Sequence, residues 1–176
     1  MKKLIEDIES HVKNPSKGLP EEIFYLAGRL IPFINVDLLV QDDLGRTLLS
    51  WRDESLFDNN ISSAWHIPGG IIRLRETISE RLHKVAMNEM GGKLISFSKE
   101  PLTVAQHIDH HTKNRSHHIG LLYKCKLENN YEIDNKNLNF GDSGFLEWHS
   151  SAPDNFHSHQ LVYMDYFLRK SECNEV

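Results

Sequence analysis

Apolar and polar positions alternate along this chain with two distinct periods, and the switches between them mark its elements. Leu4, Ile5, Ile8 and Val12 recur at helical spacing, and the turn formers Asn14-Pro15-Ser16-Lys17-Gly18 should stop that first helix. A second helix is expected from Pro20, with Glu21 and Glu22 at its positive end and Ile23, Leu26 and Leu30 on its apolar face. Phe33 to Val40 is a nearly continuous apolar run, read as a buried strand. Asp42-Asp43-Leu44-Gly45 is read as a turn and Arg46 to Trp51 as the returning strand of a hairpin. After a polar, irregular stretch from Glu54 to Ser63, Trp65-His66-Ile67-Pro68-Gly69-Gly70 reads as a short strand entering a glycine-rich loop.

The helix that follows carries its own punctuation. Thr77 and Glu80 have the spacing of a capping box, Ile78, Leu82 and Val85 trace one face, and Gly91-Gly92 ends it. Leu102 to Ile108, His118 to Leu127 and Gly144 to Trp148 read as strands, and Leu161 to Leu168 as a closing helix that packs on the domain. The order is mixed α/β, with no internal repeat. Trp51, Trp65 and Trp148 are expected in the core.

Composition narrows the function classes. With 176 residues, 39% hydrophobic and 26% charged, the chain can bury a core without disulfides. Its formal net charge of −5 and its scattered Lys and Arg argue against a nucleic-acid partner. Cys125 and Cys173 lack metal-ligand spacing and suit a reducing compartment. Met1 to Val12 lacks the apolar region of a signal peptide, and no run reaches membrane-spanning length. A cytoplasmic protein with no membrane partner is expected.

The chemistry points to the segment Gly69 to Gly91. A glycine-rich loop can offer backbone carbonyls, and the following helix a carboxylate, to one hard cation holding diphosphate oxygens. Glu89 stands in the last helical turn, where its charge opposes the helix dipole, a mild cost that a cation relieves. Asp37 interrupts an apolar strand, where a carboxylate needs a partner or a ligand. The histidines His107, His110, His111, His117 and His118 have no Cys partner and lie on a strand and a polar loop, a pattern of surface or substrate-loop residues rather than of zinc.

Gly70, Glu76, Lys84 and Glu89-Met90-Gly91 together resemble the Nudix signature, although Lys84-Val85-Ala86-Met87-Asn88-Glu89 replaces the family's Arg-Glu-apolar-any-Glu-Glu. Keeping only the final Glu resembles the GDP-mannose mannosyl hydrolase branch. Pro32-Phe33-Ile34-Asn35-Val36-Asp37, Gly45, Leu48-Leu49, Arg52, Trp65, Pro68-Gly69-Gly70, Glu76-Thr77, Met87, Glu89 and Gly91 fall on comparable positions, from Pro32 to about Trp148.

The resemblance implies a Nudix-type α/β/α sandwich with a mixed sheet, and extra N-terminal helices that cover an edge or form a subunit contact. Residues 1–31 would be that extension, 32–170 the Nudix domain and 171–176 a polar tail. It implies one Mg2+, or Mn2+ in its place, on Gly69, Glu89 and Asp142. It implies substrate contacts at Asp37, Arg52, Lys84 and His118, with Lys84 a point charge where the branch has an Arg. It also implies a homodimer.

For catalysis, counting back from Trp148 brings Asp142 and Ser143 to the branch's metal-ligating Gln and its His base. Ser143 is a poor base by itself. Either Asp142 acts as the base, or one of His107, His110, His111, His117 and His118 approaches, His107 matching a His near the transferred groups. The expected reaction is hydrolysis of a GDP-mannose or GDP-glucose type of nucleotide sugar to sugar and nucleoside diphosphate. The alternatives are cleavage between the phosphates, or binding of a nucleotide sugar without turnover.

Overall fold

Strand β1 (Phe33–Val40) runs through the centre of the molecule, and its last five residues are buried, as the apolar run requires. A computed structural model describes residues 1–53, 62–110, 114 and 117–167. His111, Leu168, Cys173, the tail 171–176 and most of the stretch from Glu54 to Ser63 lie outside the described residues.

β1 pairs antiparallel with β4 (Gly69–Ile71) on one side and parallel with β7 (His117–Leu127) on the other. β7 also carries β5 (Leu94–Phe97) and β6 (Thr103–Ile108), both antiparallel. A second, antiparallel sheet has the order β3 (Ala64–His66), β2 (Thr47–Arg52), β8 (Leu146–His149). The expected hairpin between β1 and β2 is therefore corrected. Only the isolated bridge Gln41 to Thr47 joins them, because β2 turns away to pair with β3 and β8 on its two edges. The turn itself forms as read: the Asp42 carboxylate accepts hydrogen bonds from the Leu44 and Arg46 amides, and Gly45 takes φ 76°.

The period of two in β1 separates two cores. Val36, Leu38 and Val40 pack with Leu82, Val85, Ala86 and Met90 of helix α3 (Ile78–Met90). Leu39 packs on the opposite side with Leu49, Trp65, Ile67, Tyr163 and Phe167. Helix, sheet and C-terminal segment thus make the α/β/α layering expected. Trp51 and Trp65 are core residues, and Trp148 packs against the core. Each buried aliphatic side chain here contributes about 1.5–3 kcal/mol relative to exposure.

The reciprocal cap of α3 is present: the Glu80 amide donates to Thr77 Oγ1 at 3.2 Å and the Thr77 amide to Glu80 Oε2 at 2.8 Å, while Gly91 ends the helix at φ 65°. The expected closing helix from Leu161 is also corrected. A 3-10 segment, Ser158–Tyr163, precedes only a short α-helix, Met164–Phe167, because Gln160 and Tyr163 are tied to the strands beneath them.

At the N-terminus, helix α1 (Lys2–Ser10) buries no residue. After a 3-10 turn, Pro15–Lys17, helix α2 (Glu21–Leu30) follows Pro20 and leans on the main sheet, where Phe24 stacks on Phe33 with ring centroids 4.8 Å apart. Among the described residues, no helix is long and apolar enough to cross a membrane.

Candidate active site

The site begins at Asp37, whose neighbours in the sheet are shaped to receive a carboxylate. Asp37 faces Gly69 across the β1–β4 pair, and Gly120 of β7, which pairs with Asn35, lies against the Asp37 carboxylate. A Cβ at Gly69 would overlap Asp37 Oδ1, and one at Gly120 would overlap the Tyr163 hydroxyl. Both positions therefore require glycine for room. Asp37 Oδ1 accepts from Asn35 Nδ2 at 2.6 Å and Gln160 Nε2 at 3.3 Å, and Oδ2 accepts from the Tyr163 hydroxyl at 2.8 Å. Burial pushes the Asp37 carboxyl up to about 7, and the charge of Glu89 adds to the rise, against the hydrogen bonds and Arg52.

Across the cleft, α3 presents Glu89 to Gly69 and Gly70. The loop expected there is corrected, since both glycines pair with β1 as the start of β4, and the Gly69 amide donates to Glu89 Oε2 at 3.3 Å. His66, at the end of β3, has Nε2 3.9 Å from that same oxygen and 3.2 Å from Arg52 Nη2. A guanidinium can only donate, so Nε2 accepts and the ring proton sits on Nδ1. Burial lowers the His66 pKa in the same direction, and the group is neutral at neutral pH.

Arg52, His66, Asn88 and Glu89 stand between two cavities and line both. The smaller, about 390 Å³, also takes in Ser50, Asp134 and Ser143. The larger, about 940 Å³, takes in Asp37, Gly69, His107 and His118, and extends to α2. This volume is at the upper end of small-molecule sites.

Six of the residues singled out in the sequence thus meet at the larger cleft: Asp37, Arg52, Gly69, Glu89, His107 and His118. His107 stacks on His159 with ring centroids 3.6 Å apart, and burial lowers its pKa. Ser143 lines the smaller cavity and accepts from the Asp53 amide at 2.8 Å. Asp142 turns into its own loop, where Oδ2 accepts from the Asn139 amide at 2.7 Å. Lys84 Nζ lies 2.8 Å from Glu76 Oε1, and Arg81 Nη2 2.7 Å from Glu76 Oε2. Burial by itself raises the Glu76 carboxyl, but Lys84, the Arg73 amide and Arg81 together bring it down to about 2.

Four residues of this site were not identified in the sequence. His66 had a signal, a histidine within the buried run Trp65 to Ile67. Gln160, Tyr163 and His159 had none, since they reach the site only when the C-terminal segment folds back over β1 and β6.

Among the described residues, no three His, Cys, Asp or Glu side chains are grouped to hold a metal. Two carboxyl groups flank Gly69: Asp37, whose oxygens are taken by Asn35, Gln160 and Tyr163, and Glu89, which is partly exposed to the cleft. That donor set suits Mg2+, which binds through one or two carboxylates and completes its shell with water and substrate phosphates.

The comparisons agree with this architecture. The fold is similar to a MutT Nudix hydrolase from Burkholderia pseudomallei, with TM-score 0.60, 18% identity, and 77% of this chain and 98% of that chain covered. The chain has the Nudix fold. A Jonesia denitrificans protein described as a possible asymmetric diadenosine tetraphosphate hydrolase shares the Nudix fold at TM-score 0.56 and 17% identity, over 78% of this chain and 92% of that one. So does the Nudix domain of Shewanella oneidensis NrtR, solved with ADP ribose, at TM-score 0.54 and 14% identity, over 85% and 92%. In sequence, the chain is 26% identical over 85 residues to the low-salt glycan biosynthesis protein Agl8 of Haloferax volcanii, across 48% of this chain. That match spans about half, 51%, of the relative's length. No family model matches the chain.

Proposed function

We propose that this protein is a Mg2+-dependent hydrolase of nucleoside diphosphate sugars of the GDP-mannose or GDP-glucose type, releasing sugar and nucleoside diphosphate. The observation that carries this reading is the convergence of Arg52, Glu89 and Asp37 on one cleft beside Gly69. Arg52 holds the diphosphate. Asp37 and His118 orient the sugar hydroxyls. His107, kept neutral by burial, takes the proton of the attacking water. Glu89 and the backbone of Gly69 would hold the metal, which when bound neutralises the diphosphate leaving group. The Asp142 carboxylate is engaged by Asn139, so it is not assigned a metal role in this reading. Similarity to a protein named for glycan biosynthesis supports a sugar-containing ligand.

The test is a panel of nucleotide sugars, incubated with and without Mg2+ in heavy-oxygen water, with mass analysis of products. Label in the free sugar is the expected result. Label in a nucleoside monophosphate or in sugar 1-phosphate places the attack at phosphorus between the two phosphates and replaces the reading with a pyrophosphatase. A second reading, a binding module without turnover, is favoured by Val85 and Asn88 at the positions where the resembled family carries carboxylates, and by the ADP ribose held in a similar domain. It predicts that a nucleotide sugar raises the melting temperature while no product forms.

A further inference from the structure

The larger cleft does not end at the strands of the sheets. Its far wall is the segment between Pro15 and Ile31, which contributes Pro15, Gly18, Leu19, Phe24, Ala27 and Ile31. Two contacts secure this segment across the cleft. Arg73, on the loop after β4, donates from Nη1 to the Lys17 carbonyl. Arg29, near the end of α2, donates to Asn114 Oδ1 at 2.7 Å, on the connection between β6 and β7.

The chemistry of this end differs from that around Glu89. Phe24 and Phe33 lie nearly parallel, their ring planes 13° apart, and both are half-buried. Ile31, Ile34 and Leu74 line the same end, yet are 58%, 48% and 57% exposed. Apolar side chains gathered at a cleft and left uncovered mark a contact surface. Arg75, which also lines the cleft, has φ 61° and is the only described non-glycine residue with positive φ, a backbone cost that tends to collect at ligand sites.

We propose that this N-terminal wall is the nucleobase subsite of the cleft. The planar base extends the Phe24–Phe33 stack and covers Ile31, Ile34 and Leu74, while the diphosphate reaches back towards Arg52. The inference rests on the nucleotide-sugar reading. It gives residues 15–31 a part in ligand recognition as well as in packing.

Calorimetry of the full chain with GDP, GDP-mannose and mannose 1-phosphate, in Mg2+ buffer, tests it. Phe24→Ala should weaken GDP and GDP-mannose roughly tenfold, the scale of one base–aromatic stack, and leave mannose 1-phosphate unchanged. Phe24→Leu keeps an apolar side chain in the wall and should show the same selective loss if the alanine variant fails to fold. Equal weakening of all three ligands, or unchanged GDP binding in a folded variant, overturns the proposal. So does a dimer that dissociates in Phe24→Leu while GDP affinity holds, since the wall then takes a second copy. If the parent protein binds none of the three, the nucleotide-sugar reading itself has failed, and the subsite falls with it.

Discussion

Asp37 and Tyr163 stand 126 residues apart in the chain and share a hydrogen bond of 2.8 Å at the base of the cleft. That bond joins the central strand to the C-terminal segment, and it holds a carboxyl that burial has raised to about 7. All three side chains around Asp37 are donors, two to Oδ1 and one to Oδ2.

Asp37→Asn should therefore separate stability from function. A raised acid contributes its stability below the unfolded pKa and loses it as pH rises through the folded value, here about 7. Asn keeps its oxygen on the two amides, and its nitrogen donates to Tyr163, which accepts in turn. The variant should melt near the parent at pH 5 and about 5 °C above it at pH 8.5, and should lose nucleotide-sugar turnover. Thermal unfolding at the two pH values checks this, and a variant that melts lower at pH 8.5 contradicts it.

Glu89→Gln should lower turnover by at least about a thousandfold while the melting temperature stays within roughly 2 °C, since Glu89 is partly exposed and outside both cores. Full activity in this variant removes Gly69 and helix α3 from the chemistry.

With Glu89 the one partly exposed carboxylate at Gly69 and Asp37 buried among its own donors, Mg2+ should bind weakly alone and tightly only beside a diphosphate. Titration calorimetry should find at least about a tenfold gain in Mg2+ affinity when GDP is present. Equal affinity with and without GDP contradicts a shell completed by ligand oxygens.

Glu76 tests a structural ion pair. Its side chain is 2% exposed between Arg81 and Lys84, and its pKa is lowered to about 2. A depressed acid contributes stability above its unfolded pKa of about 4.5 and loses it as pH falls towards 2. Glu76→Gln should cost about 3 kcal/mol in urea unfolding at pH 7, and the gap to the parent should narrow on acidification between pH 5 and pH 2. A gap that is constant with pH rules out the ion pair as its source.

Gly120→Ala should cost about 1–3 kcal/mol, because the added methyl overlaps the Tyr163 hydroxyl and presses on Asp37 Oδ2. The double variant Gly120→Ala, Tyr163→Phe should recover part of that loss. No recovery would mean that the strain lies in the β7 backbone.

Local chemistry was legible in the sequence wherever a few neighbouring residues suffice. The Thr77–Glu80 cap, the Asp42 turn, the glycine end of α3 and the buried run of β1 all follow from spacing and side-chain type. The same holds for the expectation that Asp37 needs partners, since a carboxyl in an apolar strand is costly unless paired. What spacing could not assign was which edges are already taken. The two edges of β2 are taken by β3 and β8, so it joins another sheet instead of closing a hairpin with β1. Nor could it show that Gln160 and Tyr163 return over β1, or that residues 15–31 wall the cleft, because these contacts join distant segments that no local period links. The sequence by itself determined most of the elements, though not β5 or the form of the C-terminal segment, and the spacing from Gly69 to Glu89. The partners of Asp37 and the extent of the cleft were decided by tertiary packing, which brings together side chains from opposite ends of the chain.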